Sequence, residues 1–546
     1  MIRKRGNNVY EILIRINDKV MLSKIAALNS DVALYPHQER AVKKIVRNRN
    51  TILAHSVGAG KTLTTIAGFE ALKKKGKAQH ALVVVPASLR DNYAYQGIKR
   101  FTDSSFNIVG NKQEINDKRL PHSAPDPNVD YNIISYEMFR KDPEGYIKAS
   151  NSDTVILDEL HRIKNPTLTY KSIKQSRDLY RNFIGGTGSI VSNKVADAIT
   201  LMDAARGGDR NTLNQSINKF ERKYISRENS PMHKFISPKK RPIAGFRNRE
   251  HLKDELNKYI DYVGYEDIKE SAKMPNKLLK EVKVPITKEQ ADAWIRLVEG
   301  DEQLKSLITN RRFEYLDDFE ASKLFSSMIE ARKLMNDVGT IKPGEKITDT
   351  VEETPKTKAL LDDVAAHLKN TPDGGAILSS FLIRGGTESL EAGLQNRGIN
   401  YGLFTGKGKA MTEEKRQQAV EDFNNRDVKA IIISGAGGEG LSLNNATKVN
   451  VLDIHYNPER TNQIEARGIR SGGLAHRLPE DRNVLVNRYI ATMPKKKFWG
   501  IEYEDRLLTP DELIKAIADK KDKQNAMFRS VLREMMEDRH GNRKGQ

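Results

Sequence analysis

Short apolar runs recur along this chain, each ending in Gly, Pro, Ser or Asp and most followed by a stretch of helical period. The first series is Thr51-Ile52-Leu53-Ala54, ALVVVP (81–86), YNIIS (131–135), TVILD (154–158) and RNFIGG (181–186). Runs this apolar need burial on both faces. The long helical segments between them suit parallel crossovers rather than hairpins. The expected fold class is therefore α/β, with helices on both faces of a parallel sheet. The pattern lapses over residues 205–354, which are charged and mostly helical in period, and returns after Pro355. The second series is GAILSS (375–380), YGLF (401–404), KAIIIS (429–434), KVNVLD (448–453) and NVLVNRYI (483–490).

At 546 residues the chain is too long for one core. The expected division is an N-terminal extension (1–30), a first α/β domain (31–204), a mainly helical insertion (205–354), a second α/β domain (355–492) and a helical C-terminal segment with a disordered tail (493–546). Residues 336–354 read as a polar loop or linker. Thr509 is placed to cap a last helix with Pro510 at its first position. In that helix Met527, Val531 and Met535, with Phe528 and Leu532, form a stripe that reads as core packing.

The formal net charge is +20, which favours a polyanionic partner through counterion release. There is no cysteine, so disulfides and thiolate zinc sites are excluded and a reducing compartment is the natural setting. No apolar run approaches the roughly 20 residues of a membrane span. The basic N-terminus, Met1-Ile2-Arg3-Lys4-Arg5, is not followed by the apolar core of a signal peptide. The basic clusters PKKRP (238–242) and PKKK (494–497) read as solvated loops that add electrostatic grip.

GAGKT (58–62) lies between a strand and a helix. A phosphate-binding loop needs small residues so that backbone N–H groups can face phosphate oxygens. It also needs a helix N-terminus, a lysine for the β- and γ-phosphates, and a hydroxyl for Mg²⁺. Gly58, Gly60, Lys61 and Thr62 fill those positions, although His55 stands where the strict pattern has its first glycine. ATP and Mg²⁺ are the cofactors this implies.

Such a site needs a second, acidic strand end. One carboxylate holds the metal, and its neighbour orients and deprotonates the attacking water. LDELHRIKN (157–165) supplies Asp158 and Glu159 at the tip of a buried-looking strand, about a hundred residues beyond the phosphate loop. Thr62 and Asp158 are the metal ligands expected, and Lys61, Asp158 and Glu159 the catalytic groups.

With these two motifs in place, the chain resembles the superfamily 2 nucleic-acid motors, and among them the Swi/Snf-type double-stranded DNA translocases. The resemblance runs in order from about residue 34 to 490. LYPHQERAV (34–42) looks like the adenine-reading segment, with Gln38 at the reading position. LAHSVGAGKT (53–62) is similar to the phosphate loop, with His55-Ser56 in place of the usual acidic pair. TGSIVSN (187–193) resembles the coupling motif, with Ser189 and Ile190 replacing Thr and Pro. ISGAGGEGLSLNNA (433–446) looks like the DNA- and nucleotide-sensing loop, with Gly440 at the nucleotide. NPERTNQIEARGIRSG (457–472) carries Gln463, Arg467 and Arg470, similar to the helix that supplies arginine fingers; their spacing places them on one helix face. The segment 470–494 is similar to ATPases of large DNA viruses.

The resemblance implies two RecA-like parallel-sheet domains in tandem, with a mainly helical insertion between them and a helical C-terminus. It implies an ATP-dependent double-stranded DNA translocase that moves along DNA or remodels DNA–protein complexes. ATP is then read by Gln38, held by Lys61 and Thr62, and hydrolysed when Arg467 and Arg470 close on it. Ser88, Asn92, Ser135, Thr405 and Ser434 are the candidate groups tracking the DNA backbone. Besides double-stranded DNA, a targeting protein such as a polymerase is an expected partner, and a membrane is not. The implied setting is cytoplasmic or DNA-associated, or a virion for a viral chain. Two other readings stand beside this one: an RNA or single-strand helicase with the same acidic corner, and a non-catalytic nucleotide-gated DNA-binding or virion component favoured by the altered TGSIVSN.

Overall fold

A computed structural model describes residues 28–541, apart from 112–113, 116–121, 165–167, 192–193, 209–212, 230–240, 270–272, 310–315, 317, 338–351, 407–410, 436–440, 471, 499–500 and 504–506. The N-terminal extension, Gly440, most of the 336–354 linker, most of PKKRP and the C-terminal tail fall outside the described residues. The chain divides into two compact units. The first holds residues 1–226, 245–268 and 527–546; the second holds 227–244 and 269–526.

The first unit is built on eight strands: β1 (Asn50–His55), β2 (Ala81–Val85), β3 (Phe106–Val109), β4 (His122–Ser123), β5 (Tyr131–Ser135), β6 (Thr154–Leu157), β7 (Asn182–Thr187) and, past the short strands β8 (Ile225–Arg227) and β9 (Ile243–Phe246), β10 (Ile260–Val263). Their order across the sheet is β10-β1-β7-β6-β2-β5-β3-β4, and every pairing is parallel. The apolar runs are strands because both faces are covered. Leu53, Val83, Ile133, Ile156 and Ile184 are fully buried and pack with Ile66 and Phe69 of the helix Lys61–Lys74.

The second unit has β11 (Asn276–Pro285), β12 (Gly375–Ser380), β13 (Tyr401–Phe404), β14 (Ala430–Ser434), β15 (Ala446–Val451) and β16 (Asn483–Thr492), ordered β11-β16-β15-β12-β14-β13. These pairings are also all parallel. Leu360, Leu361 and Val364 of the helix Pro355–Asn370 bury against Leu378 and Ile432. The helix Pro510–Gly541 begins as expected: the Thr509 hydroxyl accepts from the Glu512 amide, and the Glu512 carboxylate accepts from the Thr509 amide. Phe528, Val531, Leu532 and Met535 of the apolar stripe are buried and Met527 is half-buried, so the stripe packs internally.

The stretch 205–354 is the one expected to be a mainly helical insertion. It contains six helices among its described residues, but also β10, an edge strand of the first sheet, and β11, an edge strand of the second. The sequence concealed both for physical reasons. β10 has four residues and a buried aspartate at its second position. β11 lies on an edge and mixes Lys277, Lys280, Glu281 and Lys283 with Leu278, Leu279, Val282 and Val284, so it shows no continuous apolar run.

Candidate nucleotide site

The phosphate loop joins β1 to the helix Lys61–Lys74. Gly58 and Gly60 have φ of +86° and +72°, values that disfavour a side chain. At Gly60 a Cβ would also stand 2.4 Å from Nε2 of Gln38. The bare backbone lets Gln38 close over the loop: its Nε2 donates to the carbonyls of Ala59 and Gly60, each at 3.3 Å. Its Oε1 accepts from the Tyr35 amide at 2.8 Å. Gln38 is thus buried beside the loop it was expected to serve. Lys61 Nζ folds back on the loop and donates to the carbonyls of His55 and Ser56 at 3.2 and 3.5 Å.

The acidic corner is reached from β6, two strands from β1 in the sheet. Asp158 is buried, and its Oδ1 accepts the Glu159 amide at 3.0 Å. Glu159 has φ +51°, an uncommon conformation for a non-glycine residue. The Tyr136 hydroxyl holds the corner from behind by donating to the Asp158 carbonyl at 2.7 Å. Burial pushes the Asp158 carboxyl up to about 6, the Glu159 charge adds to the rise, and Lys61 opposes it. Glu159 Oε2 lies 3.4 Å from Nδ1 of His161.

The Thr187-Gly188-Ser189 turn adjoins the same groups of the first unit. A Cβ on Gly188 would meet Lys61 Nζ at 3.5 Å, and one on Gly186 would meet Asp158 Oδ1 at 3.3 Å. The end of β7 and the turn that follows it thus lie beside Asp158 and Lys61. Thr187 donates its hydroxyl to the Ser189 carbonyl at 2.9 Å, and Ser189 donates its own to Val191 at 2.8 Å. Ser189 closes the turn as a threonine hydroxyl would, and Ile190 is buried.

The donor set suits a divalent cation. Thr62 offers a hydroxyl in the first turn of its helix, and Asp158 offers a carboxylate whose burial raises the cost of its charge. The Ser56 hydroxyl is buried in the loop and has no hydrogen-bond partner among the described residues.

In the second unit Asn457 caps the helix Pro458–Glu465, accepting from the Glu459 amide at 3.1 Å. Gln463 is on this helix, half-buried. Arg467 and Arg470 are not: the helix ends at Glu465, Arg467 follows in a turn, and Arg470 lies in irregular chain beyond it. The expected single helix face is corrected by Gly468, where a Cβ would lie 2.9 Å from Cβ of Ala446 and 3.1 Å from Cγ2 of Val449. The chain leaves the helix to approach the sheet that closely. The arginines stay together by another means: the Arg467 carbonyl accepts from Leu443 at 3.2 Å, and Arg470 Nη2 donates to the Leu441 carbonyl at 2.8 Å. Glu465, fully buried, ties the helix end to Lys277 of β11 and Arg488 of β16 at 2.5 and 2.6 Å.

The candidate tracking groups divide. Ser88 and Asn92 are exposed, Asn92 opening a π-helical turn, Asn92–Ile98. Thr405 is half-buried, and its carbonyl accepts from Arg416. Ser135 is buried and caps the next helix by accepting from the Met138 amide at 3.2 Å. Ser434 is buried at the end of β14. Ser135 and Ser434 therefore do not present free hydroxyls on the surface. The sequence reading missed Asp261, Tyr136 and Glu465. A lone aspartate in the apolar run Ile260-Asp261-Tyr262-Val263 was the one available signal.

Comparison with known proteins follows the same order of elements. The SNF2-related domain matches residues 25–340, more than half the chain. The chain belongs to the SNF2-related family. A helicase conserved C-terminal domain matches residues 359–472 of this SNF2-related chain. The family is one of ATP-hydrolysing, helicase-like enzymes. Similar proteins include one named an ATP-dependent RNA helicase from Acanthamoeba polyphaga mimivirus, 23% identical over 88% of this chain and 93% of its own length. The DNA repair and recombination protein RAD54-like of Gallus gallus is 26% identical over 83% of this chain and 65% of its own. The Bacillus subtilis helicase/translocase YwqA is 23% identical over 85% of this chain and 46% of its own. Apart from the mimivirus protein, the SNF2-related chain thus spans less than two thirds of these relatives. Among solved structures, the Sulfolobus solfataricus SWI2/SNF2 ATPase core in complex with dsDNA is 20% identical, covers 85% of this chain and 89% of its own, and has a TM-score of 0.37. No helix among the described residues is long and apolar enough to cross a membrane.

Proposed function

We propose that this chain is an ATP-driven translocase on double-stranded DNA. The observation that carries the reading is the gathering of Lys61, Asp158 and the Gly186–Ser189 segment beyond the C-terminal ends of β1, β6 and β7, neighbouring strands inside the first sheet. Each group has one job. Gln38 reads the base. The backbone N–H groups from Gly58 to Thr62, with Lys61, hold the phosphates. Thr62 and Asp158 hold Mg²⁺, which supplies charge neutralisation at the phosphates when bound. Glu159 accepts the proton of the attacking water. Gln463, Arg467 and Arg470 are the groups that the family resemblance assigns to the γ-phosphoryl charge, which a guanidinium fork matches.

The net charge of +20 supports a polyanionic track. The names of the RAD54-like relatives point to DNA, and that of the mimivirus relative to RNA. Ser88 and Asn92 are the exposed candidates for backbone contact. Displacement of a third strand from a blunt triplex tests the reading, because a translocase strips it without unwinding the duplex. ATP-dependent release of the third strand with the duplex intact is expected. Unwinding of an RNA duplex with no triplex release would transfer the assignment to an RNA helicase.

A further inference from the structure

Asp261 is fully buried in β10 and holds two segments of the nucleotide site at once. Its Oδ1 lies 2.9 Å from Nε2 of His55, the last residue of β1 before the phosphate loop. Its two oxygens also accept from Arg40, Nη2 to Oδ1 at 3.0 Å and Nε to Oδ2 at 3.3 Å. Arg40 belongs to the helix Pro36–Arg47, which carries Gln38. A third N–H···O bond runs from Arg40 Nη2 to the Tyr262 carbonyl at 3.2 Å. The Ser56 amide donates to the Val263 carbonyl at 2.8 Å, so β10 grips the loop through its backbone as well.

His37 adds the outer rung. Its Nε2 lies 2.9 Å from the Ala59 carbonyl, and its ring stands edge-on to His55 with centroids 5.9 Å apart. Burial lowers His37 to about 4, and burial is also the largest influence lowering His55. The His37 imidazole is therefore neutral at pH 7. Nδ1 of His55 is buried and has no hydrogen-bond partner among the described residues. The Asp261 carboxylate is held well below its usual range by His55 and Arg40 against the cost of burial.

We infer that Asp261 is a positioning residue that registers the base-reading helix against the phosphate loop, through Arg40 on one side and His55 on the other, and so sets nucleotide affinity and base selectivity. This rests on the nucleotide-site reading above. The geometry leaves little slack: Gln38 reaches Ala59 and Gly60 only while helix and loop keep this spacing. Asn at 261 retains one acceptor but loses the charge that orients the fork of Arg40 and the ring of His55.

The test measures ATPase kinetics and nucleotide binding of full-length Asp261→Asn, Arg40→Lys and Lys61→Ala, each with ATP and GTP. Arg40 is partly exposed, so Arg40→Lys keeps the test alive should Asp261→Asn fail to fold. Positioning predicts a KM for ATP raised about tenfold in both relay variants, a kcat within about threefold, and a reduced preference for ATP over GTP. A purely structural role predicts a lower kcat from a smaller folded fraction, with KM and base preference unchanged; that result overturns the inference. Lys61→Ala separates the two readings. If it binds nucleotide as the wild type does, the nucleotide site itself is wrong. If it loses binding while the relay variants keep KM and selectivity, only the relay is wrong.

Discussion

The main-chain N–H of Glu159 donates to Oδ1 of Asp158 at 3.0 Å, so one carboxylate is fixed by its neighbour's backbone. Glu159 itself adopts φ +51°, which turns the chain immediately after the strand. The two adjacent acids are thereby given different surroundings, Asp158 buried and Glu159 half-exposed beside His161. Different surroundings allow different roles.

Glu159→Gln keeps the size and the turn but cannot accept the proton from water. ATP hydrolysis should fall by about 10²–10⁴-fold while ATP binding stays within about threefold. Single-turnover hydrolysis beside equilibrium nucleotide binding checks this. Equal loss of both would place Glu159 in binding instead.

Asp158 makes stability depend on pH in metal- and nucleotide-free protein. Its carboxyl rises from 3.8 to about 6 on folding, chiefly through burial. The native state therefore keeps a proton that the unfolded chain releases between about pH 4 and 6, and stability rises as pH falls through 6. Asp158→Asn removes that titration. The variant should be more stable than wild type at pH 7.5 by on the order of 1–3 kcal/mol, with the advantage gone near pH 4. Urea unfolding at the two pH values measures it.

Gly60→Ala combines a left-handed φ with a clash at Nε2 of Gln38. Gln38 must move, so KM for ATP should rise by about tenfold or more with the protein still folded. Circular dichroism and ATP titration separate the two effects.

Gly468→Ala tests why the arginine segment leaves its helix. The new methyl group meets Ala446, Val449 and Ile377, all buried. Overpacking of this kind costs about 1–3 kcal/mol. Urea unfolding should show that loss, with nucleotide binding by the first unit retained.

The central strands were legible because burial on both faces leaves an unmistakable apolar run, as in Ala81–Val85 and Ala430–Ser434. The phosphate loop and acidic corner were legible because their chemistry fixes residue type and spacing. The edges were not. β11 interrupts its apolar residues with three lysines and a glutamate, as charged edge strands do, and β10 is short and carries a charge. Asp261 meets His55 across 206 residues, a relationship no local pattern encodes. Arg467 and Arg470 matched helical spacing, but the close approach of Gly468 to the sheet is a tertiary constraint. Ser135 and Ser434 matched by position, and only packing reveals that they face inward.

Steady-state ATPase rate tests the central claim most directly, measured with no nucleic acid, blunt duplex DNA, single-stranded DNA and RNA, for wild type and Glu159→Gln. The account predicts strong stimulation by blunt duplex DNA, abolished in the variant. Stimulation by RNA or single strands alone, or turnover indifferent to every nucleic acid, would contradict it.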